Sequence, residues 1–118
     1  MLLDDLNRRV TAAIWVAEHE QPGTCEAQAA YAVVADLEEE IAKLTSPNVL
    51  PGQVSRVGAV RAALMSGNLF RAMQLVERYR AEGTGDALRE QLDEFWERAN
   101  ELLDPSGIRS YDRAPDSR

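Results

Sequence analysis

The chain has 118 residues, of which 45% are hydrophobic and 28% charged, a composition typical of one globular domain. Its 20 acidic residues against 13 Lys and Arg leave a net charge of -7, which argues against a general affinity for phosphate backbones or anionic lipid. A single cysteine and a single histidine exclude a disulfide framework within the chain and a conventional zinc site. We therefore expect a reducing, cytoplasmic location. The sequence shows no export signal and no apolar run of the roughly 18 to 20 residues that a membrane helix needs.

Two long amphipathic helices are predicted at the start of the chain. In the first, about residues 2–20, apolar side chains recur at three- and four-residue spacing and form one stripe. Pro22 and Gly23 end it, and Thr24 is a good N-cap for a second helix that extends to about residue 44. Two such helices joined by a short break should form an antiparallel hairpin over residues 1–45.

A connector and three shorter helices are predicted next. Residues 46–52 contain two prolines and a glycine, which indicates a connector and the best candidate for a hinge. A helix over residues 53–66 should end at Gly67 in a left-handed C-cap, and Asn68 should cap the following helix. The last helix, about residues 86–103, has the widest apolar face of the five.

These elements predict an all-α fold. No segment alternates apolar and polar residues over a strand's length, so we predict a single-domain helical bundle of about five helices over residues 1–104. It consists of the long N-terminal hairpin, the connector and a three-helix part over residues 53–104. Residues 105–118 lack periodicity and carry two prolines with scattered charge, which predicts a flexible, disordered tail.

The residue types that most often carry chemistry form no catalytic or metal-binding pattern. His19 lies between Glu18 and Glu20, but adjacent helical side chains point about 100° apart and no second histidine exists to complete a metal site. Cys25 follows the proposed N-cap without a positioned base. Motifs for nucleophilic serine, phosphate-binding loops or calcium loops are missing. We therefore predict no enzyme, no cofactor, no metal and no small-molecule substrate.

The last helix is predicted to carry an acidic ridge. Four glutamates follow the i, i+4, i+7, i+11 rhythm opposite the apolar stripe: Glu90, Glu94, Glu97 and Glu101. The ridge is either a solvated face or a docking surface for a basic partner.

Three aromatic residues lie off the apolar stripes of their helices. Trp15 points roughly 150° away from its stripe, Phe70 about 125° and Tyr31 about 90°. Two explanations stay open. The side chains are buried within the chain, which requires the first helix to be central among the five, or they form an interface with a partner protein or a second copy.

Charge is distributed unevenly along the chain. Residues 1–50 hold nine acids and three bases, net -6, and residues 84–118 hold nine acids and five bases, net -4. Residues 53–83 hold two acids and five bases, net +3, and form a basic hairpin. Two short helices with a tight turn and basic residues are also the pattern of a helix-turn-helix. Its nucleic-acid candidates are Arg56, Arg61, Arg71 and Arg78. Internal pairing of these arginines with the acidic neighbours explains the same charges.

Within this hairpin, Gly67, Leu69 and Ala72 resemble the Gly, Leu and small Ala of a tetratricopeptide repeat. The first helix lacks that repeat's Trp, Leu-Gly and Tyr, and no second copy follows at a fixed period. The resemblance covers about a quarter of the chain and implies a helical hairpin without assigning a family.

Together these patterns predict a small acidic, cytoplasmic helical module for protein-protein interaction, such as an adaptor, a chaperone-like protein or an accessory subunit. It would bind a partner protein or a second copy of itself through Trp15, Tyr31 and Phe70, with the acidic ridge setting orientation. The alternative is a DNA-binding transcriptional regulator that uses residues 53–83. Nucleic acid is the less expected partner, and no membrane partner is expected.

Overall fold

Five helices make up the part of the chain that the structure, a computed structural model, describes, namely residues 2–103. In chain order they are α1 (Leu2–Glu18), α2 (Cys25–Lys43), α3 (Leu50–Met65), α4 (Leu69–Arg80) and α5 (Asp86–Leu103). No strand occurs in this range, and the predicted all-α, five-helix fold is confirmed. The predicted tail, residues 105–118, lies outside the described residues.

The predicted helix caps form. The Thr24 hydroxyl accepts a hydrogen bond from the backbone N–H of Ala27 (3.1 Å), and the Asn68 side chain accepts one from the backbone N–H of Arg71 (3.1 Å). Gly67 has a φ of +82° and closes α3 in the predicted left-handed conformation. These caps fix where α2 begins and where α3 gives way to α4.

The start of α3 differs from the prediction. The helix begins at Leu50, inside the predicted connector, because Pro51 occupies the first turn, where its missing N–H is not needed. Gly52 then packs so closely on the Ser46 carbonyl that a Cβ would overlap that oxygen. Two other bounds also change: α1 ends at Glu18 rather than residue 20, and α5, with 18 residues, is no shorter than α1 with 17.

The helices pack in chain order. Each helix contacts the next, α3 also packs against α5, and among the described helices α1 packs against α2 alone. One apolar core lies between α3, α4 and α5 around Val60, Leu75, Val76 and Leu92, and it includes Ala42 of α2. A second core joins α1 to α2 around Leu6, Val10, Val34 and Ile41, and it includes Ala62 of α3. The principal extents of 54 × 35 × 17 Å describe a slab about two helices thick.

None of the helices within residues 2–103 has the combination of length and apolar character that is needed to cross a bilayer.

Candidate functional site

An open groove lies between α1 and α3. Both helices pack against α2, but no Cα atoms of α1 and α3 approach within 8 Å of each other, so α2 forms the floor between two walls. The groove has two adjoining parts of about 470 Å³ and about 230 Å³, and Ile14 and Glu38 line both. Its walls extend from Leu3 to Glu18 on α1 and from Leu50 to Met65 on α3. At a rise of about 1.5 Å per residue, this is about 22 Å, or about four helical turns.

Large apolar side chains are exposed along this groove. Leu50 and Val54 on α3 are mainly exposed, and Met65 at the far end of the same wall is half exposed. Leu3 and Ile14 on the α1 wall are half-buried. A concave surface with exposed apolar groups marks a binding site more often than a solvated face.

A carboxylate lies on the groove floor. Glu38 of α2 is only 8% exposed, yet it contributes to the lining of both parts of the groove. No ion pair or hydrogen bond from residues 2–103 holds its carboxylate. Burial raises the pKa of Glu38, and the nearby Arg61 charge offsets part of this increase, so that the resulting pKa is about 7. The groove therefore contains a buried acid without a partner.

Gly58 makes room for this carboxylate. It lies in the middle of α3 opposite Glu38, and a Cβ at this position would overlap the Glu38 carboxylate. Glycine is otherwise unfavourable in a helix interior, by about 1 kcal/mol relative to alanine. The Gly58–Glu38 pair therefore shapes the groove at a cost to the intrinsic stability of α3.

Sequence reasoning missed Glu38, which lies in an acidic run with Glu39 and Glu40. A signal was present: Val34, Glu38 and Ile41 follow the i, i+4, i+7 rhythm of the α2 apolar stripe. A charged residue on the apolar stripe of one helix, together with a glycine in the middle of the next apolar helix, is the sequence signal of this site.

The three off-stripe aromatics occupy different surroundings. Trp15 is 61% exposed on the outer face of α1, where its ring stacks on His19 with centroids 3.9 Å apart, and Phe70 on α4 is 75% exposed. Tyr31 is half-buried, lines the groove and packs on the α1–α2 core. The explanation that Trp15 is buried because α1 is central is wrong, since α1 is the edge helix. An interface role for these residues stays a prediction.

The acidic ridge faces solvent. Glu90, Glu94, Glu97 and Glu101 are all exposed on α5. Of these, Glu94 also lines a pocket of about 350 Å³ between α3 and α5, with Arg61, Met65 and Arg98. Docking of a basic partner on this ridge stays a prediction.

Arg56, one of the four nucleic-acid candidates, is buried and joins several elements. Its guanidinium donates to the Glu82 carboxylate (2.6 Å) and to the Gly52 carbonyl (2.9 Å). It also donates to the carbonyl of Ala42 in the last turn of α2 (3.0 Å) and to that of Thr45 just beyond α2 (3.1 Å). A buried side chain with these partners cannot reach a phosphate backbone, so Arg56 has a structural role.

Two of the other candidates pair with α2. Arg71 donates to Asp36 (2.6 Å) and to Glu39, and Arg78 donates to Glu39 (3.4 Å). Burial alone would lower the pKa of Arg71, but the hydrogen bonds to Asp36 and Glu39 raise it above its ordinary value. Arg61 has no ion pair within residues 2–103, and its guanidinium lies 5.8 Å from the Phe95 ring centroid.

The lone Cys25 is exposed at the start of α2. In the described part of the chain, no three His, Cys, Asp or Glu side chains converge as metal ligands. No protein-family model, no curated protein and no solved structure matches this chain.

Proposed function

We propose that this chain is a protein-interaction module that binds an amphipathic helix of a partner protein in the groove between α1 and α3. The observation that carries the proposal is the groove itself, an open channel of about four helical turns lined by exposed apolar side chains. A helix recognised in this way inserts side chains at i, i+3, i+4 and i+7 between two walls.

Charge favours a basic partner helix. The α1 wall and the α2 floor belong to residues 1–50, which hold nine acids and three bases. Glu18 lies on the rim of the groove and Glu38 on its floor. Complementary charge speeds encounter and fixes orientation, while the apolar side chains supply most of the affinity. The setting we propose is a reducing cytoplasm, which suits a single exposed cysteine.

The DNA-binding alternative has less support. Arg56, Arg71 and Arg78 already pair with carboxylates of the same chain, so they offer little uncompensated positive charge. Self-association is the other alternative. It would use the exposed outer face of α1, and light scattering of the wild type and of Trp15→Ala would reveal it as a mass difference.

A peptide-display selection tests the proposal. Helix-forming peptides of about 16 residues, long enough to fill the groove, would be selected on the full chain. We expect binders that lose at least tenfold in affinity for Val54→Asp, because a carboxylate would then interrupt the α3 wall.

Val33→Asp is the matched control, since Val33 on α2 is also about half exposed but does not line the groove. The selected peptides should bind this variant like the wild type, and circular dichroism should show equal helicity for all three proteins. A selection without binders, or binders that ignore Val54→Asp, would overturn the proposal.

A further inference from the structure

We propose that the groove selects a helix with one lysine or arginine in the middle of its apolar face, and that Glu38 is the residue that binds this cation. The inference rests on the proposed function and adds the chemistry of the partner. It commits to a partner protein as occupant, with the chain's own C-terminal segment and a second copy as competing outcomes.

The Glu38 carboxylate is buried without a partner in the described fold. More than nine-tenths of the residue is removed from solvent, and within residues 2–103 its carboxylate accepts no hydrogen bond and forms no ion pair. Buried carboxylates are ordinarily paired and hydrogen-bonded, because an isolated charge in an apolar environment is costly. A cation supplied from outside the described fold would satisfy this group.

A side chain in the groove has access to the Glu38 carboxylate. Glu38 lines both parts of the groove, so its carboxylate is reached from the channel midway between the two ends. On the α3 side the carboxylate lies against Gly58, whose missing side chain leaves room for it at this depth of the groove. The flexible methylene stem of a lysine or arginine would pack along the apolar walls while its charged end reaches the floor.

Three other charged or titratable groups face this part of the groove. They are Glu18 of α1, Tyr31 of α2 and Arg61 of α3. Arg61 is close enough to lower the pKa of Glu38 but forms no ion pair with it. Its guanidinium lies beside Phe95 of α5 instead. Glu18 adds a second negative charge at the rim, so the electrostatic preference is for a cation.

Parallel selections on the wild type and on Glu38→Gln test this inference. The peptide library would vary the apolar-stripe positions among aliphatic, aromatic, basic and acidic residues. We expect wild-type binders to carry one lysine or arginine at a fixed interior position of the stripe, and Glu38→Gln to select an uncharged residue there. Replacing that basic residue by norleucine should weaken wild-type binding at least tenfold and leave binding to Glu38→Gln nearly unchanged.

Glu40→Gln is the control for net charge, because Glu40 is an exposed carboxylate on the same helix. It should select the same basic peptides as the wild type. Groove-dependent wild-type binders without a basic residue would overturn the inference and leave the proposed function standing. A basic preference that persists on Glu38→Gln would also overturn it, because other acids would then supply the attraction.

Two measurements distinguish a partner helix from the C-terminal segment and from a second copy as the occupant of the groove. The double variant Arg109→Gln, Arg113→Gln removes basic residues from the C-terminal segment, and we expect unchanged peptide affinity. A gain of several-fold would show that this segment holds the groove and would overturn the assignment to a partner. Light scattering should give a monomer both with and without the peptide. A dimer that the peptide dissociates would instead assign the groove to a second copy.

Discussion

The Glu38 carboxylate destabilises the free chain when it is ionised. In water a carboxylate is strongly hydrated, whereas at the groove floor Glu38 is only 8% exposed and its carboxylate has gained no hydrogen bond within residues 2–103. The resulting pKa of about 7 means that the group titrates near neutral pH, whereas it ionises near 4.5 in an unfolded chain. Ionised Glu38 therefore does not stabilise the fold of the free chain, but it is suited to binding a cation.

This pKa difference predicts the pH dependence of stability. Between about pH 4.5 and pH 7 the folded state holds the Glu38 proton more tightly than the unfolded state, so the free energy of unfolding should fall as pH rises through this range. The Glu38 contribution amounts to at most about 3 kcal/mol. Urea unfolding of the wild type and Glu38→Gln at pH 5 to 8 measures it. The variant should gain relative stability as pH rises, and parallel curves for the two proteins would contradict the prediction.

At the scale of the elements, one guanidinium holds the junction between α2 and α3. Arg56 binds two carbonyls at and just beyond the end of α2, the carbonyl of Gly52 in the first turn of its own helix, and Glu82 beyond the end of α4. It also lies 5.5 Å from the ring centroid of Tyr79, and burial raises the pKa of that phenol to about 12. The prolines and glycine that predict a hinge therefore belong to a segment tied down by side-chain and backbone contacts.

Removing this guanidinium should destabilise the fold. Arg56→Ala removes the hydrogen bonds that join the Glu82 carboxylate to backbone carbonyls around the α2–α3 junction, and we expect a loss of roughly 2–4 kcal/mol in the free energy of unfolding. Arg89→Ala on the exposed face of α5 is the control and should change stability by less than about 0.5 kcal/mol. Urea denaturation at pH 7 provides both values, and equal losses in the two variants would show that the junction does not depend on Arg56.

The sequence predicts the ends of the helices better than it predicts the candidate site. Thr24, Gly67 and Asn68 act locally, so the ends of their helices could be predicted from the residues alone. The start of α3 could not, because Pro51 is compatible with both a connector and a first helical turn. Glu38 could not be placed in a groove, because helical periodicity does not say which pairs of helices stay apart.

At the scale of the whole molecule, α1 is the least supported helix. It packs on α2 alone among the described helices, whereas α3 contacts α2, α4 and α5. Local stability in proteins follows the number of buried contacts that must be broken to open a segment. The groove wall formed by α1 is thus held more weakly than the wall formed by α3.

Hydrogen exchange should reveal this asymmetry. In the free protein we expect the amides of α1 to exchange faster than those in the centre of α3, because α1 can detach from α2 without opening the α3–α5 core. Addition of a selected groove-binding peptide should slow exchange in α1 more than in α4. Mass spectrometry of exchanged peptic fragments measures both effects, and uniform exchange across α1 and α3 would show that the fold opens only as one unit.

The packing of each helix on its neighbour in chain order also has a kinetic consequence. Most contacts between elements join segments that are close in sequence, and chains with such low contact order fold fast. During synthesis α1 and α2 can pair as soon as both have left the ribosome, before α4 and α5 have emerged from it. The floor and first wall of the groove would then exist before α3 completes the second wall, so a partner helix present at that time would meet an apolar surface wider than the final groove.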